Sequence, residues 1–162
     1  MIVYTHNDCL LKFNGPGHPE SKERLESIIS SIKSSDVSVE FKDSPLVNLD
    51  IVSLVHPKKH IENIFKDIPK NGIVGVEKEP YADTMLCPNS KSAILRSCGS
   101  GIAACDDLMI KNERVFCAVR PPGHHAETIR ANGFCFINNI AVAARYLQKK
   151  YEIGKIAIID FD

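Results

Sequence analysis

Residues 115–162, VFCAVRPPGHHAETIRANGFCFINNIAVAARYLQKKYEIGKIAIIDFD, decide the fold of this chain. They begin with an apolar run of strand length, Val115–Val119, and end with a second one, Ile156–Ile159. Between the two runs, a loop over residues 120–136 precedes a helical pattern over residues 138–149 that has one apolar face. This order predicts a βαβ unit within a parallel sheet that is covered on both faces.

The sequence upstream of this stretch continues the α/β pattern. Ile2–Tyr4 and Val37–Phe41 predict two short strands. Residues 6–19 predict a loop, and residues 72–84 predict an irregular segment. The pattern predicts helices over residues 20–34, 50–55, 60–65 and 90–110. Because ligands of such sheets bind where parallel strands end, the residues directly after the two apolar runs are the first candidates for a site.

The composition is that of an ordinary soluble protein of 162 residues, 44% apolar and 25% charged. Twenty basic and twenty acidic residues cancel, which does not favour nucleic acid or an anionic membrane as a partner. No apolar run approaches the roughly 20 residues that span a bilayer, and the N-terminus has no signal-peptide pattern. Six cysteines without a CxxC pair indicate a reducing, cytoplasmic setting.

Two adjacent histidines, His124 and His125, stand on a loop whose shape is restricted by Pro121, Pro122 and Gly123. Histidine titrates near neutral pH, so such a pair can share general-base and general-acid work. Each ring would need a carboxylate to orient it. The alternative is a surface loop whose histidines only form hydrogen bonds.

Two carboxylates, Asp160 and Asp162, follow the second apolar run. Alternation along a strand predicts that both lie on one side, with Phe161 opposite. Because neighbouring carboxylates repel each other at the end of a buried strand, they indicate a cation or a histidine beside them. The alternative is a strand end that enters solvent.

Three further features carry weaker signals. The segment Gly133–Phe136 could line an apolar slot, although such residues are more often core, and Cys135 has no assigned base that would make it a nucleophile. His56 and His60 stand four residues apart. Pro57 begins a new segment between them, and the acid of an HExxH motif is missing, so we do not predict a zinc site there.

Three motifs together resemble the histone deacetylase superfamily, which includes acetylpolyamine amidohydrolases and acetoin-utilisation proteins. They are RPPGHHAE at Arg120–Glu127, GFCFINN at Gly133–Asn139 and IIDFD at Ile158–Asp162. Weaker matches are GHPE at Gly17–Glu20 and Asp83–Thr84. The resemblance implies a three-layer α/β/α fold of the arginase and deacetylase type with a mainly parallel sheet, of which residues 1–162 form the N-terminal part.

The resemblance implies hydrolysis of an acetyl-amide, such as acetyl-lysine or acetylpolyamine, with Zn²⁺ as the cofactor; iron is the alternative metal. His124 and His125 resemble the paired histidines that move protons. Asp160 resembles the buried carboxylate that orients His124, and Asp162 resembles the first metal ligand.

The resemblance also implies a substrate slot. Phe134 resembles one wall of the slot that grips the acyl-lysine stem, and Gly133 contributes backbone to the same slot. Asp83 resembles the aspartate at the rim that holds the substrate backbone.

The family pattern contains parts that residues 1–162 lack. They are a histidine two positions beyond Asp162, a distant aspartate ligand, the carboxylate partner of the second histidine, and a tyrosine for the oxyanion. One carboxylate cannot hold a catalytic zinc, which needs about three protein ligands. We therefore expect an inactive fragment, truncated after its first metal ligand and poorly stable alone, with a C-terminal half as the partner that completes it.

Two other functions are open at this point. The chain could be a non-catalytic remnant or a fragment that binds a partner. It could also be a manganese hydrolase of the arginase type, but RPPGHHAE and GFCFINN belong to the deacetylase branch.

Overall fold

The computed structural model describes residues 1–76 and 82–162. In chain order, the elements of this part are β1 (Ile2–Thr5), α1 (Asn7–Leu11), α2 (Lys22–Lys33), β2 (Glu40–Asp43), α3 (Leu49–Val52), α4 (Lys58–Lys66), β3 (Val74–Gly75), β4 (Met85–Leu86), α5 (Ser90–Lys111), β5 (Val115–Cys117) and α6 (Asn139–Tyr151). Strands and helices therefore alternate along the chain, as the sequence predicts for an α/β protein.

A parallel sheet of three strands, in the order β2–β1–β5, lies at the centre. Ile2 of β1 stands opposite Glu40 of β2 on one side and opposite Val115 of β5 on the other. A short antiparallel pair, β3 and β4, forms a second sheet. The prediction of a mainly parallel sheet is confirmed.

Helices cover both faces of the three-stranded sheet. On one face, Val3 of β1 belongs to a buried cluster with Leu25 of α2. On the other face, the hydroxyl of Tyr4 donates a hydrogen bond to Asp107 of α5 at 2.8 Å. Because successive strand residues point to opposite faces, β1 contributes to both layers. The result is the predicted three-layer α/β/α arrangement, in incomplete form.

Small residues bring α5 close to its neighbours. A Cβ atom at Gly99 would lie 1.9 Å from the carbonyl oxygen of Pro45, so the backbone passes where a side chain would stand. A Cβ at Gly101 would lie 3.6 Å from the Cβ of Ala143 in α6. This confirms that the small residues of the predicted helix allow close packing.

The second apolar run does not form the predicted strand. Residues 152–162, all within the described part, are in no strand, and Ile158 and Ile159 are 50% and 85% exposed. A strand needs a neighbour that takes up its backbone hydrogen bonds, and β5 is an edge strand with no further strand beside it among the described residues. The second strand of the βαβ unit was therefore wrong for this structure.

Other boundaries differ by a few residues. The strand predicted over residues 37–41 begins at Glu40. The predicted loop over residues 6–19 contains α1, which begins where the His6 ring accepts a hydrogen bond from the Asp8 amide at 3.1 Å. The predicted irregular segment 72–84 includes β3, and residues 77–81 of it lie outside the described residues.

Two expectations from composition can be compared with the structure. All six cysteines are free, so they form no disulfide framework. Among the described helices, none is long and apolar enough to cross a membrane.

Three charged side chains are buried together beneath the loop that follows β5: Lys12, Glu20 and Arg120. Arg120 donates hydrogen bonds to both carboxylate oxygens of Glu20, and the Lys12 ammonium lies 3.6 Å from the same carboxylate. Burial opposes ionised Glu20, but Arg120 and Lys12 outweigh it, so the pKa of Glu20 is lowered. Burial also lowers the pKa of Lys12. One carboxylate faces two cations, and Lys12 is the surplus charge.

We expect the two members of this cluster to respond differently to loss of charge. Glu20→Gln leaves Arg120 without its counter-ion and should lower the free energy of unfolding by about 3–5 kcal/mol. Lys12→Met keeps the Arg120–Glu20 pair and should change it by less than about 1 kcal/mol. Urea unfolding followed by circular dichroism measures both, with Lys22→Met in the exposed Lys22–Glu26 pair as the control. Equal losses would contradict this charge balance.

Candidate active site

Arg120 anchors the start of the loop that carries the paired histidines. Besides its pair with Glu20, its guanidinium donates to the backbone carbonyls of Cys9 at 2.9 Å, Lys12 at 3.2 Å and Glu20 at 3.2 Å. Arg120 is only 6% exposed, so these bonds lie in a low-dielectric interior where they are strong. The loop therefore leaves the sheet from a rigid position.

The structure brings His124, His125, Asp160 and Asp162 together. The two imidazole rings lie with their centroids 4.2 Å apart. His124 Nδ1 is 2.9 Å from an Asp160 carboxylate oxygen, and its Nε2 is 3.3 Å from Asp162. Both carboxylates face His124, while Phe161 is 97% exposed. This matches the alternation expected from the sequence, although the segment is not part of a sheet.

The expectation that Asp160 is buried is wrong for this structure. Its side chain is 51% exposed and that of Asp162 is 82% exposed, because the segment that carries them lies unpaired at the surface. The backbone amide of Asp162 and the ring of His124 donate to the Asp160 carboxylate and lower its pKa. Asp160 is therefore ionised and can orient His124.

Gly133 stands directly against the second histidine. Its φ angle is +52°, and a Cβ atom there would lie 2.6 Å from Cδ2 of the His125 ring. Phe134 also has a positive φ angle, of 68°, and its amide donates to the Thr84 hydroxyl at 3.1 Å. The backbone at these two residues thus passes directly against the His125 ring and is held by Thr84.

One cavity of about 380 Å³ joins most of the predicted site. Its lining includes His124, His125, Gly133, Phe134 and Asp162. Arg24, Leu25 and Ile28 of α2 belong to the same lining. The lining combines ionisable side chains with an aromatic ring, a combination typical of small-molecule sites.

Asp83 is exposed and lies outside the lining of that cavity. The Thr84 hydroxyl donates to its carboxylate at 2.9 Å, and the His18 ring lies 3.0 Å from its backbone carbonyl. The His18 ring also contacts the Phe134 ring edge to face, with centroids 4.7 Å apart. Thr84 and His18 thus connect Asp83 to Phe134. The sequence analysis did not predict this role for either residue.

Asn138 is another residue that sequence reasoning missed. Its side-chain oxygen accepts from the Ala141 amide at 3.1 Å and caps α6. Its side-chain nitrogen donates to the backbone carbonyls of Ala126 at 3.2 Å and His124 at 3.5 Å. Asparagine before a helical pattern signals the cap, but the bonds back to the histidine loop depend on the fold.

Cys135 does not act as a nucleophile in this arrangement. It is fully buried, and burial raises the pKa of its thiol to about 11. A neutral buried thiol is a poor nucleophile at physiological pH. This agrees with the weak case that the sequence makes for it.

The residues of the site do not by themselves fit a catalytic metal ion. Within residues 1–76 and 82–162, no group of three or more histidine, cysteine, aspartate or glutamate side chains is placed to hold one. A catalytic zinc needs about three protein ligands, and the predicted metal role falls on Asp162 alone. The chemistry that follows from the structure is therefore that of the histidine pair and its carboxylates.

The parallel α/β fold and the paired histidines beside two carboxylates agree with the resemblance to the histone deacetylase family. The model of the histone deacetylase domain matches residues 18–162, and the chain belongs to the histone deacetylase family.

Two relatives show how far the match extends. The "Probable deacetylase" of Methanothermobacter thermautotrophicus is 30% identical over 161 residues, which cover 99% of this chain and 47% of that protein. "Histone deacetylase 10, chloroplastic" of Oryza sativa subsp. japonica is 31% identical over 166 residues, covering 92% of this chain and 37% of that protein. The chain therefore spans less than half the length of these relatives.

A solved structure gives the same picture of the fold. The HD domain of HDA15 superimposes with a TM-score of 0.81 at 26% sequence identity. The superposition covers 91% of this chain and 42% of that one. Nearly all of this chain thus has the fold of part of a deacetylase domain.

We expect Gly133→Ala to displace the His125 ring. Any left-handed alanine costs about 1–2 kcal/mol, and the clash with His125 should add about 1–3 kcal/mol. Gly17→Ala is the matched control, because Gly17 has a φ angle of +72° and open space where a Cβ would be. Urea unfolding gives the stabilities, and the His125 ring resonances in NMR spectra report displacement. Equal losses in the free energy of unfolding for the two variants, or His125 ring resonances that do not shift, would show that Gly133 does not restrict the position of the His125 ring.

The hydrogen bond between His124 and Asp160 predicts a second measurable effect. His124→Ala should raise the pKa of Asp160 toward its ordinary value, because the variant removes one of the donors that stabilise the carboxylate. The pKa should stay below that value, since the Asp162 amide remains. Carbon-detected NMR titration of the carboxylates checks this, and an unchanged Asp160 titration would show that the two side chains do not interact in solution.

Proposed function

We propose that this chain carries the proton-transfer part of the active site of a zinc-dependent deacetylase, which hydrolyses an acetyl-amide such as acetyl-lysine or acetylpolyamine. The observation that carries the proposal is the pair of rings, His124 and His125, 4.2 Å apart, with two carboxylates on the first ring. The names of the relatives, which are deacetylases, support the same reaction.

Amide hydrolysis needs two proton movements, and the histidine pair can divide them. A water molecule must lose a proton as it attacks the carbonyl, and the leaving amine must gain one. Asp160 accepts from Nδ1 of His124, which leaves Nε2 of that ring, 3.3 Å from Asp162, to exchange a proton within the site. We assign the two movements to His124 and His125, and we assign Asp160 as the carboxylate that orients His124.

The cavity accounts for the other part of the substrate. Phe134 forms a wall for the acyl-lysine stem, and Gly133 allows the backbone to approach that stem closely. We assign the exposed Asp83, whose backbone carbonyl lies 3.0 Å from the His18 ring, to binding the backbone or amine of the substrate. The substrate is therefore an acylated amine on a slender chain.

Zinc is the proposed metal of the complete domain, with Asp162 as one ligand. Bound zinc would supply a Lewis acid for the acetyl carbonyl and the attacking water. The other ligands would come from polypeptide that completes the domain, since the described residues contain no group of three or more His, Cys, Asp or Glu side chains placed to hold a metal ion. We also propose that residues 1–162 alone are inactive and that the protein acts in the cytoplasm.

An exposed apolar surface supports the proposed completing half as a partner. Within the described residues, β5 has no strand on its outer side, and Phe116 on it is 43% exposed. Ile140 of α6 and Ile158 nearby are 51% and 50% exposed. Further strands that pair with β5 would cover these side chains and give the 156–159 segment a neighbour. The relatives are more than twice as long as the part that this chain matches, which leaves polypeptide for such strands.

A chimera tests the proposed reaction. The aligned part of the Methanothermobacter protein is replaced by this chain, and release of acetate from an acetyl-lysine peptide is measured. We expect turnover that a chelator abolishes, a loss of about 10²–10⁴-fold in kcat for His124→Ala and His125→Ala, and loss of bound zinc for Asp162→Asn. Lys22→Met in the exposed pair on α2 is the control and should retain activity.

Two results would contradict the proposal. A chimera whose turnover is unchanged by substitution of both histidines would exclude their role in proton transfer. Chelator-sensitive deacetylation by residues 1–162 alone would show that the chain needs no completing half.

A further inference from the structure

His56 is fully buried, and it lies outside the cavity of the candidate site. It lies in the segment between α3 and α4. Both nitrogens of its ring contact the backbone of the segment 128–138. Nδ1 lies 3.1 Å from the Thr128 carbonyl oxygen, and Nε2 accepts a hydrogen bond from the Asn138 amide at 2.9 Å.

These two contacts fix the state of the His56 ring. A carbonyl oxygen can only accept, so Nδ1 must carry the proton that is donated to Thr128. A backbone amide can only donate, so Nε2 must present a lone pair to Asn138. The ring is therefore the neutral tautomer with its proton on Nδ1. Burial lowers the pKa of His56 and favours the same neutral form.

Asn138 links this ring to the paired histidines. Its backbone amide is held by His56, and its side chain donates to the backbone carbonyls of His124 and Ala126. One residue thus stands between the buried ring and the backbone of His124. The segment 128–138 contains no helix or strand, so the side chains of His56 and Asn138 add to the backbone hydrogen bonds of its turns.

We propose that His56 is a positioning residue, whose neutral ring holds Thr128 and Asn138 and, through Asn138, the backbone of His124. The importance of this role for catalysis rests on the proposed function, but the role itself can be tested without any activity. His56 does not touch substrate or the reacting atoms, and it would act by keeping the histidine pair in register with Asp160.

His60 provides a control of the same residue type beside His56. Its ring centroid is 6.1 Å from that of His56, and the rings are stacked. Its Nε2 is buried and has no hydrogen-bond partner in the described part of the chain. His60 is partly buried where His56 is fully buried, and it tests the loss of a neighbouring imidazole that makes no such bond to the histidine loop.

Two amide variants separate the contacts of the His56 ring. In His56→Gln, the longer side chain can place its oxygen near the position of Nε2 and accept from Asn138. In His56→Asn, the shorter side chain can donate to Thr128 but cannot reach the Asn138 amide. A role in general packing predicts similar effects for both variants, whereas the proposed role predicts that glutamine rescues and asparagine does not.

The test uses the purified chain, NMR-detected hydrogen exchange and ¹⁵N-labelled histidine. We expect the wild-type His56 nitrogens to show the tautomer protonated at Nδ1. In His56→Asn, protection of the Asn138 amide should fall about tenfold, the effect of one lost hydrogen bond, relative to core amides of α5. The His124 ring resonances should shift in the same variant. In His56→Gln and His60→Gln, protection of the Asn138 amide should stay within about twofold of wild type. The His124 ring resonances should keep their wild-type positions in both variants.

Several outcomes would overturn the proposal. One is a wild-type His56 ring protonated at Nε2, a measurement that needs no variant to fold. Another is equal loss of Asn138 protection in the glutamine and asparagine variants. A third is a His124 ring that does not shift in His56→Asn.

A kinetic measurement in the chimera adds a separate readout. His56→Asn should lower kcat with KM nearly unchanged, because the substrate slot remains while His124 is displaced, and His56→Gln should restore kcat. A kcat that is the same in both variants as in wild type counts against the role in positioning. If the chimera has no activity at all, the proposed function fails, and the NMR results still decide the role of His56.

Discussion

The buried pairing of Arg120 with Glu20 is the interaction on which the rest of the candidate site depends. Arg120 follows the central sheet, and Glu20 precedes α2, so the pair joins the sheet to the helix layer on one face. The same guanidinium binds the carbonyls of Cys9 and Lys12 and closes the intervening loop. Because the cluster is buried, these charge-assisted hydrogen bonds are strong and fix the start of the loop at Arg120.

From that anchor, the histidine loop is held at a second end by His56 and Asn138. Between the two ends, Gly133 and Phe134 adopt left-handed backbone angles that bring the His125 ring against the chain. The loop has a few backbone hydrogen bonds of its own, between Glu127 and Arg130 and between Asn132 and Cys135. Buried polar side chains from other elements add to them, which explains how a long loop can hold two rings in a defined relation.

The carboxylate side of the site is held less firmly. Asp160 and Asp162 reach His124 from a segment that is exposed and unpaired, and Phe161 between them faces solvent. The relatives are more than twice as long, and in the proposed complete domain further strands would pair with this segment and with the free edge of β5. The site is therefore well packed around Arg120 and poorly packed around Asp162.

Much of this could be predicted from local patterns, because helix spacing and apolar runs are properties of the chain itself. Helix α5, helix α2 and strand β1 appear close to their predicted positions, and the motif residues His124, Asp160 and Asp162 meet as expected. The strand over residues 156–159 was wrong, since an apolar run indicates a strand only if a neighbour stands beside it.

The sequence by itself determined the family and the identity of the chemical groups, since RPPGHH and DFD are contiguous motifs that need no fold to be read. Only the tertiary structure decided which distant side chains hold those groups. Glu20 is 100 positions from Arg120, and His56 is 82 positions from Asn138. Pairings at such separations depend on how the layers pack, and no local periodicity encodes them.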